Sequence, residues 1–171
     1  MTSYPDISSI PIVGGNLALD LANTTSERHG PAPRERLHGP GDVVTWAERV
    51  GLAGRRDAAM LRKEAAAQPG RAARAVDRLL ALREVIYRLF SSVAAGTDPD
   101  LADLAALDRA WHDSATRRRL VWSAGGVGWQ REEEDGLADR KWTDASDRAV
   151  DSRVVLVRTH DRLHHFWRGT R

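Results

Sequence analysis

The chain has 171 residues, a formal net charge of +2 and no cysteine. A chain of this length can bury roughly two thirds of its unfolded surface, so one domain can fold without disulfides. The lack of cysteine excludes thiolate zinc sites, cysteine nucleophiles and redox pairs. No signal peptide opens the sequence, and no apolar run approaches the about 18 residues of a membrane span. We therefore expect a soluble, cytoplasmic protein without a membrane partner.

Arginine supplies nearly all of the positive charge. Lys63 and Lys141 are the only lysines, which leaves 24 arginines among the 26 basic residues. Two explanations fit this composition. One is a coding bias that also enriches alanine and glycine; the other is an anion-binding surface, because guanidinium groups suit bidentate phosphate contacts. Whole-chain charge does not separate them.

The predicted elements begin in the segment GGNLALDLANT, residues 14–24. Its leucines and alanines repeat four residues apart, and Asn16 stands where a helix N-cap is expected. This pattern predicts a short helix over about 16–23. Residues 25–41 combine three prolines, three glycines and many charges. We predict that they form a mobile surface loop without core-forming residues.

Longer helices are predicted further along the chain from apolar stripes and terminal signals such as Asp42 and Gly96. These helices cover 42–51, 55–67, 71–95, 98–115 and 143–158. Between the last two, RRLVWSAGGVGWQRE places apolar residues on both sides of a glycine turn, which predicts a β-hairpin. The expected fold class is α+β and predominantly helical, a helix bundle with a small antiparallel β-hairpin or sheet.

The order of these segments resembles the ABATE domain. GGNLALDLANT, a proline-rich gap, VVTWAERVGL, LLALREVIYRLF and a strand pair with GVGW follow one another over roughly residues 10–158. The resemblance implies an ABATE-like domain over residues 1–158. It also implies a sensory or binding role, because that domain forms the N-terminal part of bacterial proteins described as stress-induced transcription regulators.

The chain departs from the family pattern at its C-terminal end. Family members usually continue into a CGNR zinc finger, to which DNA binding is ascribed. Here residues 159–171, THDRLHHFWRGTR, form a basic tail without cysteine in place of the finger. Either a genuine loss or a truncation of the reading frame explains this difference. The resemblance therefore carries over the fold and the binding role, but no DNA-reading finger.

The candidate ligand-binding residues are Asn16, Asp20, Asn23, Trp46 and Arg83. The first three share one face of the predicted short helix, because they are spaced four and three residues apart. They either stabilise the backbone or line a cleft, since burying them unpaired would cost a few kcal/mol. We expect a partly buried ion pair between Asp20 and Arg83, which both interrupt apolar faces. Trp46 is either a core residue or part of a ligand platform.

The C-terminal tail offers candidate contacts to nucleic acid at Arg158, Arg162, Trp167 and Arg168, which could bind phosphate and stack on bases. The histidines of HDRLHH are not followed by the glutamate of an H-E-x-x-H motif, so we predict no metal site and no cofactor.

The leading functional hypothesis is a regulatory domain that binds a small polar ligand or a protein partner and lacks its zinc finger. One alternative is weak DNA binding through the arginine-rich tail. A second is a small-molecule enzyme that uses Asp20 as general base in the same cleft. We expect no enzyme, because the sequence has no Ser-His-Asp pattern, P-loop or dinucleotide fingerprint. The sequence does not determine the oligomeric state.

Overall fold

The protein forms five helices and two antiparallel strand pairs in a computed structural model, which describes residues 6–115, 118–123 and 126–131, with side chains for 6–113. The helices are α1 (Leu17–Ala22), α2 (Pro40–Arg49), α3 (Arg55–Ala67), α4 (Pro69–Ala95) and α5 (Leu101–Ala115). The strands are β1 (Thr25–Ser26), β2 (Arg34–Glu35), β3 (Arg118–Ser123) and β4 (Gly126–Arg131). The predicted α+β, mainly helical fold is confirmed. The predicted helix over 143–158 and the tail over 159–171 lie outside the described residues.

Helix α4 is the element against which the other helices pack, since it contacts α1, α2, α3 and α5. Its apolar residues recur every three to four positions, which gives a stripe wide enough to contact several neighbours. Pro69 begins the helix two residues earlier than predicted, because proline suits the first helical position, where no N–H is needed. Gly96 ends the helix in the left-handed conformation at φ 66°, as its position predicted.

The main core lies between α1, α2 and α4. Trp46 is fully buried in this cluster, which joins apolar residues of all three helices to the N-terminal segment and to a residue that follows β2. The cluster also contains Ile7, Leu21, Leu37, Val43, Val76 and Ile86. A second cluster, formed by Val85, Leu89 and Leu107, joins α4 to α5.

Helix α1 is capped by the two asparagines of the GGNLALDLANT segment. The side-chain oxygen of Asn16 accepts a hydrogen bond of 2.9 Å from the backbone N–H of Leu19, which satisfies one free donor of the first turn. Asn23 is the C-cap, and its backbone N–H donates to the carbonyl oxygen of Leu19 at 2.9 Å. The predicted short helix and its N-cap are confirmed.

The prediction of a mobile loop without core residues over 25–41 is wrong. Strands β1 and β2 pair antiparallel there, with Thr25 opposite Glu35, and Leu37 is only 1% exposed. The carboxylate of Glu35 also accepts a hydrogen bond from the backbone N–H of Leu37 at 2.8 Å. One buried leucine and side-chain contacts to α4 order this segment, although its composition is typical of a loop.

Two predicted helix starts shift by two or three residues. Helix α2 begins at Pro40 rather than after Asp42, because Gly39 takes the extended N-cap conformation and proline occupies the first helical position. The carboxylate of Asp42 instead accepts the backbone N–H of His38 at 2.8 Å. At α5 the first helical residue is Leu101, and the Asp100 carboxylate accepts the N–H of Ala102 at 2.7 Å.

The predicted β-hairpin is confirmed by the antiparallel pairing of β3 with β4. Leu120 lies opposite Trp129, and Trp122 lies opposite Val127. Within the part of the chain that the structure describes, no helix combines the length and the apolar character that crossing a bilayer requires.

Replacing Trp46 with alanine should lower the free energy of unfolding by about 3–5 kcal/mol, because it leaves a large cavity in the main core. Trp46→Phe should cost less than half as much. It keeps an aromatic ring there and removes an indole N–H that has no hydrogen-bond partner among the described residues. Urea unfolding followed by far-UV circular dichroism measures both values. Equal losses for the two variants would contradict the described packing.

Candidate functional site

A buried arginine lies where α4 faces the β1–β2 segment. The side chain of Arg83 is 5% exposed, and its guanidinium group donates two hydrogen bonds to the carboxylate of Glu35, at 2.7 and 2.6 Å. Its Nε donates to Glu84 at 2.8 Å, and Nη1 also donates to the hydroxyl of Thr24 at 3.2 Å. All three guanidinium nitrogens are therefore hydrogen-bonded, which is the condition under which a charged group is stable inside a protein.

The electrostatics of this pair favour the two charged forms. Burial raises the pKa of Glu35, but the hydrogen bonds and charge of Arg83, with the backbone N–H groups of Leu37 and Arg36, hold it below its ordinary value. Burial lowers the pKa of Arg83, and its contacts with Glu35 and Glu84 raise it further than burial lowers it. The guanidinium and the Glu35 carboxylate are thus both ionised at neutral pH.

A second group of side chains extends this network towards the surface. Arg28 forms an ion pair with Glu84, donates to the carbonyl oxygen of Ala22 at 2.9 Å, and places its guanidinium carbon 4.2 Å from the ring centroid of Tyr87. The Tyr87 hydroxyl is hydrogen-bonded to Nε2 of His29 at 2.7 Å. The segment after β1 is therefore held against α4 by charge, cation–π and hydrogen-bond contacts together.

A concave pocket of about 420 Å³ opens beside these contacts. It is lined by Ala22, Asn23, Thr25, Glu27, Arg28, His29, Gly30 and Tyr87. Glu27 has a φ of 54°, a left-handed backbone conformation that is uncommon for a residue with a side chain and often marks functional sites. This turn closes with a 2.8 Å hydrogen bond from the Gly30 N–H to the Glu27 carbonyl oxygen.

Comparison with protein-family models matches residues 15–155 to ABATE, described as "Putative stress-induced transcription regulator". The chain belongs to the ABATE family. The match covers most of the 171 residues and includes every residue that lines the pocket. No curated protein and no solved structure matches the chain.

Two of the five candidate ligand residues lie at or next to the pocket of this ABATE domain. Asn23 is exposed and lines the pocket, whereas Arg83 lies in the buried network beside it. Asn16 caps α1, and Trp46 is fully buried in the main core, so both have structural roles. Trp46 is thus a core residue and not a ligand platform.

The predicted ion pair between Asp20 and Arg83 is wrong. The carboxylate of Asp20 accepts the backbone N–H of Gly14 at 2.7 Å, and Arg83 is paired with Glu35 and Glu84 instead. The approach of Gly14 leaves no room for a side chain, because a Cβ there would lie 2.7 Å from the Asp20 nitrogen. Asp20 is therefore already satisfied by local backbone. It is not among the residues that line the pocket.

Sequence reasoning missed Arg28, His29, Tyr87 and Glu35. The first two and Glu35 lie in the segment that was interpreted as a mobile loop, and Tyr87 was not singled out within the long helix. One signal was available. In LREVIY, Arg83 and Tyr87 are four residues apart, so both project from the same side of α4.

Among the described side chains, no group of three or more His, Asp or Glu residues is arranged to hold a metal ion. The candidate nucleic-acid contacts Arg158, Arg162, Trp167 and Arg168 lie outside the described residues, as do the tail histidines.

Replacing Glu35 with glutamine should lower the free energy of unfolding by about 3 kcal/mol, because it leaves the buried charge of Arg83 without its bidentate partner. Glu84→Gln is the matched control. Glu84 is 36% exposed and makes one contact with Arg83 and one with Arg28, both near the surface, so its loss should be about 1 kcal/mol. Urea unfolding at neutral pH compares them, and a larger loss for Glu84→Gln would contradict the network.

The free energy of unfolding should also depend on pH, because it includes the ionisation of Glu35. Because its folded-state pKa is lowered, the stabilisation is present above the unfolded-state pKa of about 4.3 and is lost as pH falls through the folded-state value. Urea midpoints measured from neutral to strongly acidic pH should fall less steeply for Glu35→Gln than for the wild type. Asp103, whose pKa Arg88 also lowers, contributes equally to both proteins. Parallel curves would show that the Glu35 carboxylate is not the responsible group.

Proposed function

We propose that this ABATE domain is a ligand-binding regulatory domain and that its ligand is a small polar molecule bound in the pocket beside Tyr87. The observation that carries the proposal is the composition of the pocket wall. The wall contains polar groups with unused hydrogen-bonding capacity, next to side chains such as Arg28 that the ion pairs around Arg83 and Glu84 hold in place.

The unused groups are the amide of Asn23 and Nδ1 of His29. Neither has a hydrogen-bond partner among the described residues, while Nε2 of the same histidine is fixed by the Tyr87 hydroxyl. The Tyr87 ring and the methyl group of Ala22 contribute apolar surface to the same pocket. A pocket of about 420 Å³ is within the size range of small-molecule sites, which combine apolar walls with a few oriented polar groups.

The pocket also provides a route from binding to a change in the domain. Part of the pocket wall belongs to the turn at residues 27–30, and another part, Tyr87, belongs to α4. A ligand that contacts both parts adds to the few side-chain contacts that hold the turn against α4. Such a ligand would favour the arrangement in which the turn lies against α4 over one in which the turn is released, and this difference in affinity is what a regulatory ligand requires.

We propose binding rather than catalysis. No serine or cysteine lines the pocket as far as the structure describes the chain, and Nε2 of His29 is engaged by the Tyr87 hydroxyl. The lining therefore lacks the serine–histidine or cysteine–histidine pair that many covalent catalysts use. Its side chains are suited to recognising a ligand by hydrogen bonds and a ring face.

The first test is a binding screen with the full chain and defined probes: amino acids, short carboxylic acids, nucleosides and monosaccharides at millimolar concentration. In ¹H–¹⁵N spectra, a pocket ligand should shift the amide of Gly30, which lines the pocket, and leave that of Gly54, at the start of α3, unchanged. Shifts of equal size at both glycines, or none at Gly30 with any probe class, would contradict the proposal.

The two asparagines that cap α1 provide a matched pair of variants. Asn23→Ala should weaken binding of the identified probe about fivefold, because one hydrogen bond of about 1 kcal/mol is lost, and should leave the melting temperature nearly unchanged. Asn16→Ala should lower stability by about 1 kcal/mol through the lost N-cap and leave affinity unchanged. Calorimetric titration and thermal melts separate these effects. The reverse pattern would place the ligand elsewhere.

A further inference from the structure

The positive charge of the described chain is concentrated on the helical hairpin formed by α3 and the first half of α4, residues 55–78. This hairpin contains seven basic and three acidic residues, a net charge of +4. The rest of residues 6–113 contains seven basic and twelve acidic residues, a net charge of −5. The domain is therefore electrostatically asymmetric, although the charge of the whole chain is only +2.

Five of the seven basic residues of the hairpin are also unpaired within the described chain, whereas most of those elsewhere in residues 6–113 are paired. Outside it, arginines such as Arg28, Arg49 and Arg88 donate to carboxylates or to backbone carbonyl oxygens. On the hairpin, five exposed cations make no hydrogen bond or ion pair within the described chain. They are Arg55, Arg56, Lys63, Arg74 and Arg78. A general bias towards arginine does not explain why the unpaired side chains gather on two adjacent helices.

Helical spacing arranges these cations in rows. Arg74 and Arg78 lie one turn apart on α4, about 6 Å along the helix axis, and Arg56 and Lys63 lie two turns apart on α3. The buried residues of both helices, such as Ala58 and Val76, lie on other faces. The rows therefore face solvent.

This arrangement is unfavourable for the isolated helix. The first turn of α4 contains no acidic residue, although the helix dipole favours negative charge there. Like charges one turn apart, as at Arg74 and Arg78, also repel each other. A bound anion would offset both effects, because it adds the missing negative charge near the start of α4 and reduces the repulsion between Arg74 and Arg78.

We infer that the α3–α4 hairpin binds the phosphate backbone of double-stranded DNA without reading its sequence. The geometry favours DNA over a membrane surface, because the exposed large apolar residues of the described side chains lie elsewhere, on the N-terminal segment and α5. Residues 55–78 contain no aromatic anchor of the kind that dominates protein interfaces. Guanidinium groups match phosphate in a bidentate way, and the family description concerns transcription. This surface is separate from the pocket and does not depend on its ligand.

The test is a fluorescence anisotropy titration of the full chain against a labelled mixed-sequence DNA duplex of about 20 base pairs, between roughly 50 and 200 mM KCl. The triple variant Lys63→Gln, Arg74→Gln and Arg78→Gln should weaken binding at least about tenfold. It should also reduce the slope of log affinity against log salt by about 2–3. Its melting temperature should equal or exceed that of the wild type, because the removed charges stabilise nothing in the described fold.

Two controls separate location from charge. The tail variant Arg158→Gln, Arg162→Gln and Arg168→Gln removes the same charge, and Arg109→Gln removes an exposed, unpaired arginine of α5 within the described chain. Both should leave affinity within about twofold of the wild type.

Three outcomes would overturn the inference. The first is no duplex binding at low salt. The second is an equal or greater loss in the tail variant. The third is binding only to phosphatidylcholine vesicles that contain phosphatidylserine. Loss of DNA binding with Gly30 shifts retained would separate this surface from the ligand pocket.

Discussion

The position of the β1–β2 segment beside the pocket of this ABATE domain depends on one buried charge. Arg83 lies on the inner side of α4, and a guanidinium group in that position is stable only if carboxylates reach it. Glu84 is adjacent on the helix, but the bidentate partner, Glu35, lies 48 residues away in the chain. The requirement to neutralise Arg83 therefore brings the β1–β2 segment onto α4, and Leu37 enters the core beside it.

The pocket follows from the same contact. Once β2 is fixed by Glu35, the turn between β1 and β2 must pass over the next turn of α4. There Arg28 meets Glu84 and the Tyr87 ring, while His29 meets the Tyr87 hydroxyl. Arg28, His29 and Tyr87 make these contacts and also line the pocket. The side chains that hold the turn against α4 are thus also part of the pocket wall.

The helices and the fold class could be predicted from the sequence, because apolar periodicity, Asn16 and Gly96 are local signals. The ion-pair partner of Arg83 could not be predicted from the sequence. Asp20 and Glu35 are both acids outside α4, and only the fold decides which of them reaches the guanidinium group. Asp20 was the more conspicuous choice because it interrupts an apolar helix, but the N–H of Gly14 satisfies it locally. The segment at 25–41 was misjudged for a related reason. Its composition is that of a loop, and its order comes from contacts with residues about 50 positions away.

The long sequence separation of these contacts also affects the order of folding. The pairs Arg28–Glu84, His29–Tyr87 and Glu35–Arg83 join segments that are 56, 58 and 48 residues apart, with α2 and α3 between them. Closing so large a loop costs entropy that local helix formation does not, so we expect these contacts to form after the helices. In a growing polypeptide the pocket is incomplete until α4 has left the ribosome and docked. We expect partial unfolding that releases the β1–β2 segment to remove the pocket while most of the helical structure persists.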